Sequence, residues 1–158
     1  MSKYAFAIKN AVDLLKKARH DADRFNQKGN DALTWTYAAI DYIQTAWHLA
    51  DWIAKETGNT KKAVRNDIDK LCAGLYLLTG DLANGQKHLQ RDGSNPPQTV
   101  AKTSAPGARR RLSPIGLTMN CRETPFVIDN NGRNIYAQIL IRDTLDAIEK
   151  HMKSLGLV

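Results

Sequence analysis

At 158 residues and 17.6 kDa, with 23 Lys+Arg against 16 Asp+Glu, the chain is a basic polypeptide of single-domain length carrying +7. A chain of this size buries about 70% of its unfolded surface and needs no covalent staples to hold a core, and 42% hydrophobic with 25% charged residues is an ordinary globular composition. Cys72 and Cys121 are too few for a disulfide scaffold, the longest apolar run (Leu71 to Leu78) is too short to span a bilayer, and Lys3, Lys9 and Asp13 interrupt the N-terminus unlike a signal peptide, so a cytoplasmic protein without a membrane partner is expected.

The first segment, from about Lys3 to Phe25, places Tyr4, Ile8, Ala11, Leu15, Ala18 and Ala22 at steps of three and four, with Lys9, Asp13, Lys16, Lys17, His20 and Arg24 opposite. That period predicts an amphipathic helix. Gly29 suits its C-terminal end. Asp31 then serves as the N-cap of a second helix running to about Thr57. Apolar residues cover most of this helix, which predicts a central position in a bundle. Its polar residues form one narrow strip of Asp41, Gln44, Thr45, His48 and Asp51.

After Gly58 and Asn59, Thr60 can cap a third segment that reaches Gln90. Leu71, Leu75, Leu78, Leu82 and Leu89 recur at helical spacing and predict one long helix from about Arg65. Gly74, Gly80 and Gly85 interrupt this stripe, each at about 1 kcal/mol relative to alanine, or else admit a closely packed neighbour. Residues 91–113 change character: Asp92-Gly93-Ser94-Asn95-Pro96-Pro97 and Ser104-Ala105-Pro106-Gly107 predict an irregular loop. Ile115 to Met119 is a weak strand candidate. Phe126 to Ile128, a turn at Asp129 to Gly132, and Ile135 to Ile141 read as a hairpin, because Ile135, Ala137, Ile139 and Ile141 alternate with polar or aromatic neighbours. A helix continuous from Ile135 to Met152 is the competing reading, and the isoleucine content favours the strand. Residues 142–158 hold a final helix, with Leu145, Ile148 and Met152 on one face.

The fold class expected is therefore mainly α: one domain over 1–158, with a helical body at 1–90, an antiparallel bundle of three long helices, an irregular basic loop at 91–113, short strands at 114–141 and a C-terminal helix packed back. The charge is uneven along it. Residues 1–90 hold 13 Lys+Arg and 10 Asp+Glu, residues 91–134 hold 7 and 3, and residues 135–158 hold 3 of each, so the central stretch supplies more than half of the excess.

No GxGxxG, P-loop, HExxH, GxSxG or CxxC motif occurs. Two helical constellations remain as candidate catalytic residues. Asp41, Thr45, His48 and Asp51 share one side of the second helix, and Asp81, Asn84 and His88 share a face of the third segment. Antiparallel packing would set these strips opposite one another. A histidine from each, with carboxylates to orient them, suits general acid–base chemistry, and a solvated face or a structural hydrogen-bond network is the plainer alternative. The Glu-x-x-His pairing of di-metal helices is missing, and no metal or other cofactor is expected. Trp35, Trp47 and Trp52 fit a core or interface better than base stacking. Arg109, Arg110 and Arg111, with Lys102 before and Arg122 after, form the densest basic cluster and the candidate nucleic-acid contacts.

Thr45-Ala46-Trp47-His48-Leu49-Ala50-Asp51-Trp52, followed by Leu82-Ala83-Asn84-Gly85-Gln86-Lys87-His88, resembles a loose group of small, functionally unassigned bacterial and phage-borne proteins with a TAxHLxDW helix and a later AN-x-x-KH helix end. That resemblance implies a helical bundle in a phage, mobile-element or defence setting. A more distant likeness is to the HEPN helical bundles, whose catalytic forms place an arginine a few residues before a histidine on a late helix. His88 matches the histidine. Gly80, Asp81 and Leu82 stand where the arginine belongs, so the likeness implies a non-catalytic member. The leading expectation is a binding module for nucleic acid or a protein partner. A hydrolase using His48 and His88, and a homodimeric interaction protein, are the alternatives.

Overall fold

A computed structural model describes residues 8–87, 127–130 and 133–158, and these fold as a mainly helical unit. Helix α1 spans Ala11–Asn26 and α2 spans Ala32–Thr57. Helices α3, Lys61–Leu71, and α4, Leu75–Lys87, follow. Strands β1, Val127–Asn130, and β2, Arg133–Tyr136, lead into α5, Ala137–Ser154. Among the described residues no helix is long and apolar enough to cross a membrane. The loop expected at 91–113 and the strand expected at Ile115 to Met119 lie outside the described residues.

Helix starts follow side-chain capping. The Asn10 amide oxygen accepts from the Asp13 amide at 2.8 Å, while the Asp13 carboxylate accepts from the Lys9 amide at 3.2 Å. This exchange satisfies amides that have no partner within the helix and starts α1 at Ala11; the part of the expected helix over Lys3 to Ala7 lies outside the described residues. The Lys9 amide also holds the Asp13 carboxyl below its ordinary range. Asp31 caps α2 through the Thr34 amide at 2.7 Å, and that bond lowers its carboxyl likewise. Thr60 caps α3 through Ala63 at 3.2 Å. Gly58 ends α2 with φ 73°, a left-handed conformation that costs glycine little.

Helix α2 is central, and each of the other four helices touches it. Contacts between α1 and α2 descend one helix as they climb the other: the Ala11 amide meets Glu56, Lys17 meets Thr45, and Arg24 meets Asp41. The two therefore run antiparallel. Helix α4 packs on α2 as well, with Tyr76 bonded to Ala46 and Gln44 to Ala83. The core between them is built from Leu15, Tyr42, Leu49, Ile53, Ile68, Tyr76, Leu140, Ile148 and Met152, each fully buried. Burial pushes the Tyr42 and Tyr76 phenols upward, so both remain protonated donors. Tyr42 Oη donates to the Ile141 carbonyl at 3.0 Å and shares a 2.8 Å bond with the Thr144 hydroxyl, which fixes α5 against α2.

Two expectations are corrected. The third segment is not one long helix: α3 stops at Leu71 and α4 begins at Leu75. Between them Ala73 (φ 52°) and Gly74 (φ 90°) are both left-handed, which breaks the helical hydrogen-bond ladder. The Asp69 carbonyl accepts from the Cys72 and Gly74 amides, and the Asp69 carboxylate accepts from the Leu77 amide at 3.0 Å, so this side chain spans the break. The hairpin exists, pairing Ile128 with Ile135 and Val127 with Tyr136, but its second strand ends at Tyr136 rather than Ile141. From Ala137 the competing reading prevails. Ala137, Leu140, Ile141, Thr144, Ala147 and Ile148 are buried at helical spacing, while Ile139, which a strand would bury beside Ile141, is 38% exposed.

Candidate functional site

The polar strip of α2 is divided between two neighbouring helices. On the α1 side, Asp21 is buried and accepts from Lys17 Nζ at 2.5 Å and from the Thr45 hydroxyl at 3.0 Å. Lys17 Nζ also reaches Thr45 Oγ1 at 2.7 Å. Arg24 donates to Asp41 at 2.9 Å and lies 3.8 Å from Asp21. A buried carboxylate needs such donors, because desolvation penalises its charged form.

Further along α2, Asp51 accepts from Arg65 at 2.7 Å and from Lys61 at 3.1 Å, both on α3. Arg65 lies 4.0 Å above the Trp47 ring, a cation–π contact. The ring edge packs on Gly80 of α4, where a β-carbon would overlap it. Gly80 is thus the close-approach glycine that the third segment allowed for. Trp35, Trp47 and Trp52 all pack against the core, in line with the core reading of the tryptophans.

His48 stands between these two ion clusters, half-exposed, with Nδ1 4.0 Å from Asp51 Oδ2. The carboxylates expected to orient it are engaged elsewhere: Asp41 by Arg24, and Asp51 by Arg65 and Lys61. Asp81 and Asn84 are half-buried on α4. His88 lies outside the described residues, as do Lys102, Arg109, Arg110, Arg111 and Arg122. Among the described residues, no group of three or more His, Cys, Asp or Glu side chains is placed to hold a metal ion.

A second site was not anticipated from the sequence. A cleft of about 610 Å³ opens between the α3–α4 break and the start of α5. Leu71, Cys72 and Leu75 line one wall, and Ile135, Tyr136 and Ile139 the other. The Cys72 thiol donates to the Ile68 carbonyl at 3.4 Å, and burial pushes its pKa up. Leu71, Tyr136 and Ile139 are 50%, 45% and 38% exposed around this opening. The signal that could have revealed it is Gly74 just after Leu71: a helix stop there takes Leu71 out of the buried leucine stripe.

No family model, curated protein or solved structure matches the chain.

Proposed function

We propose that the protein is a non-catalytic binding module for a polyanion, with nucleic acid as the partner class and a phage, mobile-element or defence setting as the resemblance implies. The observation that carries this reading is the contrast between a helical frame that is only mildly basic, +3 over residues 1–90 and zero over 135–158, and a shorter stretch, 91–134, that carries +4. In the frame, Asp21, Asp41 and Asp51 are each neutralised by Lys17, Arg24, Lys61 or Arg65. Residues 91–134 carry 7 Lys+Arg against 3 Asp+Glu, with Arg109-Arg110-Arg111 as the densest run. Adjacent guanidinium groups suit phosphate oxygens, and a net positive field speeds encounter with a polyanion. Asp41 and Asp51, the carboxylates expected to orient His48, are held by Arg24, Arg65 and Lys61, which favours the binding reading over acid–base catalysis.

Fluorescence anisotropy with labelled single- and double-stranded oligonucleotides, titrated across salt, tests this. Affinity should fall steeply with salt, and replacing Arg109, Arg110 and Arg111 together by alanine should make the log–log slope shallower by up to about 2.7 on duplex DNA. His48→Ala should bind as the wild type does. Absence of binding at low salt would overturn the proposal. Oligonucleotide cleavage abolished by His88→Ala would replace it with the hydrolase reading.

A further inference from the structure

Seven large hydrophobic side chains are exposed among the described residues: Leu33, Tyr37, Leu71, Leu77, Tyr136, Ile139 and Val158. Three of them, Leu71, Tyr136 and Ile139, converge on the cleft beside the α3–α4 break. They come from three separate elements, so no single amphipathic pattern accounts for their meeting. The fold holds all three in place. Leu71 ends α3 just before the left-handed Ala73 and Gly74, whose geometry Asp69 fixes through the Cys72, Gly74 and Leu77 amides. Tyr136 occupies the N-cap position of α5, and Ile139 lies in its first turn. Exposed large apolar side chains gathered on a fixed lip are the kind of surface that a partner covers.

The charges around it indicate which partner. Lys70 stands on α3, and Asp143, Asp146 and Lys150 stand on α5, so the cleft carries two positive and two negative side chains. A polyanion would meet the aspartates and a polycation the lysines. A second copy of the same surface, turned by a two-fold axis, offers each lysine an aspartate and each aspartate a lysine. Such self-complementarity is the requirement of an isologous interface. Within the chain, among the described residues, Asp146 and Lys150 form no ion pair, while Lys70 pairs with Asp67 and Asp143 with Arg142 at the surface.

We infer that this cleft is the two-fold interface of a homodimer, in which Leu71, Tyr136 and Ile139 of each copy cover those of the other, and Lys70 and Lys150 of one copy face Asp143 and Asp146 of its mate. The inference does not rest on polyanion binding, since it uses a different surface and no residue of the basic connector.

Light scattering on the full chain, freed of nucleic acid, is the test. The wild type should give twice the mass of the 17.6 kDa chain at micromolar concentration. Ile139→Asp should halve that mass with helix content unchanged. Two charge variants keep the test sound if the apolar substitution disturbs folding. Lys70→Glu with Lys150→Glu makes the rim wholly acidic, and Asp143→Lys with Asp146→Lys makes it wholly basic. Each should be monomeric alone, and an equimolar mixture should recover the doubled mass. A wild type that remains monomeric at high micromolar concentration overturns the inference. So does a dimer that all three variants preserve, because it would be built on another surface.

Discussion

Replacing Gly80 by alanine tests the packing between α2 and α4 where it is tightest. Gly80 is buried, and an added β-carbon would fall within the Trp47 indole. Two effects compete. In an unhindered helix the substitution would stabilise by about 1 kcal/mol, through glycine's poor helix propensity. Overpacking a tight contact costs about 3 kcal/mol at the upper end of the usual range. The upper end applies here because the indole has little room to retreat. Arg65 sits 4.0 Å over its face and is anchored to Asp51 at 2.7 Å. The Tyr76 ring lies 5.5 Å away between centroids, with its hydroxyl bonded to the Ala46 carbonyl at 2.8 Å.

The net loss is then about 2 kcal/mol, or roughly 4–8 °C in Tm for a domain of this size. Circular-dichroism melts and urea titrations of Gly80→Ala measure it directly. The companion experiment places Gly80→Ala in a Trp47→Ala background. With the indole gone, only the propensity gain remains, so the sign should reverse and the alanine should stabilise. A single variant as stable as the wild type, or a double-mutant cycle with no coupling, would refute the argument.

Three further outcomes follow from buried polar groups. His151 is buried, with Nε2 lacking a hydrogen-bond partner among the described residues, and burial depresses its pKa despite the opposing charge of Asp67. The unfolded chain therefore takes up this proton first as pH falls below the ordinary value of 6.5, so stability should be full above that pH and decline beneath it. Urea midpoints between neutral pH and pH 5 should fall less steeply in His151→Leu, and parallel profiles would show that His151 does not contribute. Asp21→Ala removes the acceptor shared by Lys17 and Thr45. Because the Lys17 side chain is 41% exposed and can turn to water, the loss should be about 1–3 kcal/mol by urea titration. Tyr42→Phe deletes the buried bonds to Ile141 and Thr144 and should cost about 1–2 kcal/mol, with hydrogen exchange in α5 accelerated more than in α1.

Most of the helical frame was legible in the sequence because its punctuation is local. Asp31, Thr60 and Gly58 mark helix ends through chemistry that needs no tertiary contact, and the buried face of α1 follows its period. The α3–α4 break was not legible. Leu71, Leu75, Leu78 and Leu82 keep helical spacing straight through it, and Ala73, an excellent helix former, adopts a left-handed conformation instead. The start of α5 misled for the opposite reason. Its isoleucines favour a strand, yet tertiary burial of Ala137, Leu140 and Ile141 selects the helical face.

The two surfaces differ in the same way. The polar strip of α2 could be seen as a set, since one helix carries it, but its chemistry could not. Asp41 is engaged by an arginine 17 residues earlier, and Asp51 by one 14 residues later. Those pairings exist only once α1 and α3 have docked on α2, and they give each of these carboxylates a basic partner. The cleft is the converse case. Nothing in the sequence marks Leu71, Tyr136 and Ile139 as neighbours, and they meet because the chain departs from local preference on both sides, at Ala73 on one and at Ala137 on the other. Local conflict of this kind concentrates at functional or strained positions. Both departures border the same opening, at which Leu71, Tyr136 and Ile139 are exposed, so the cleft arises where local preference gives way to tertiary packing.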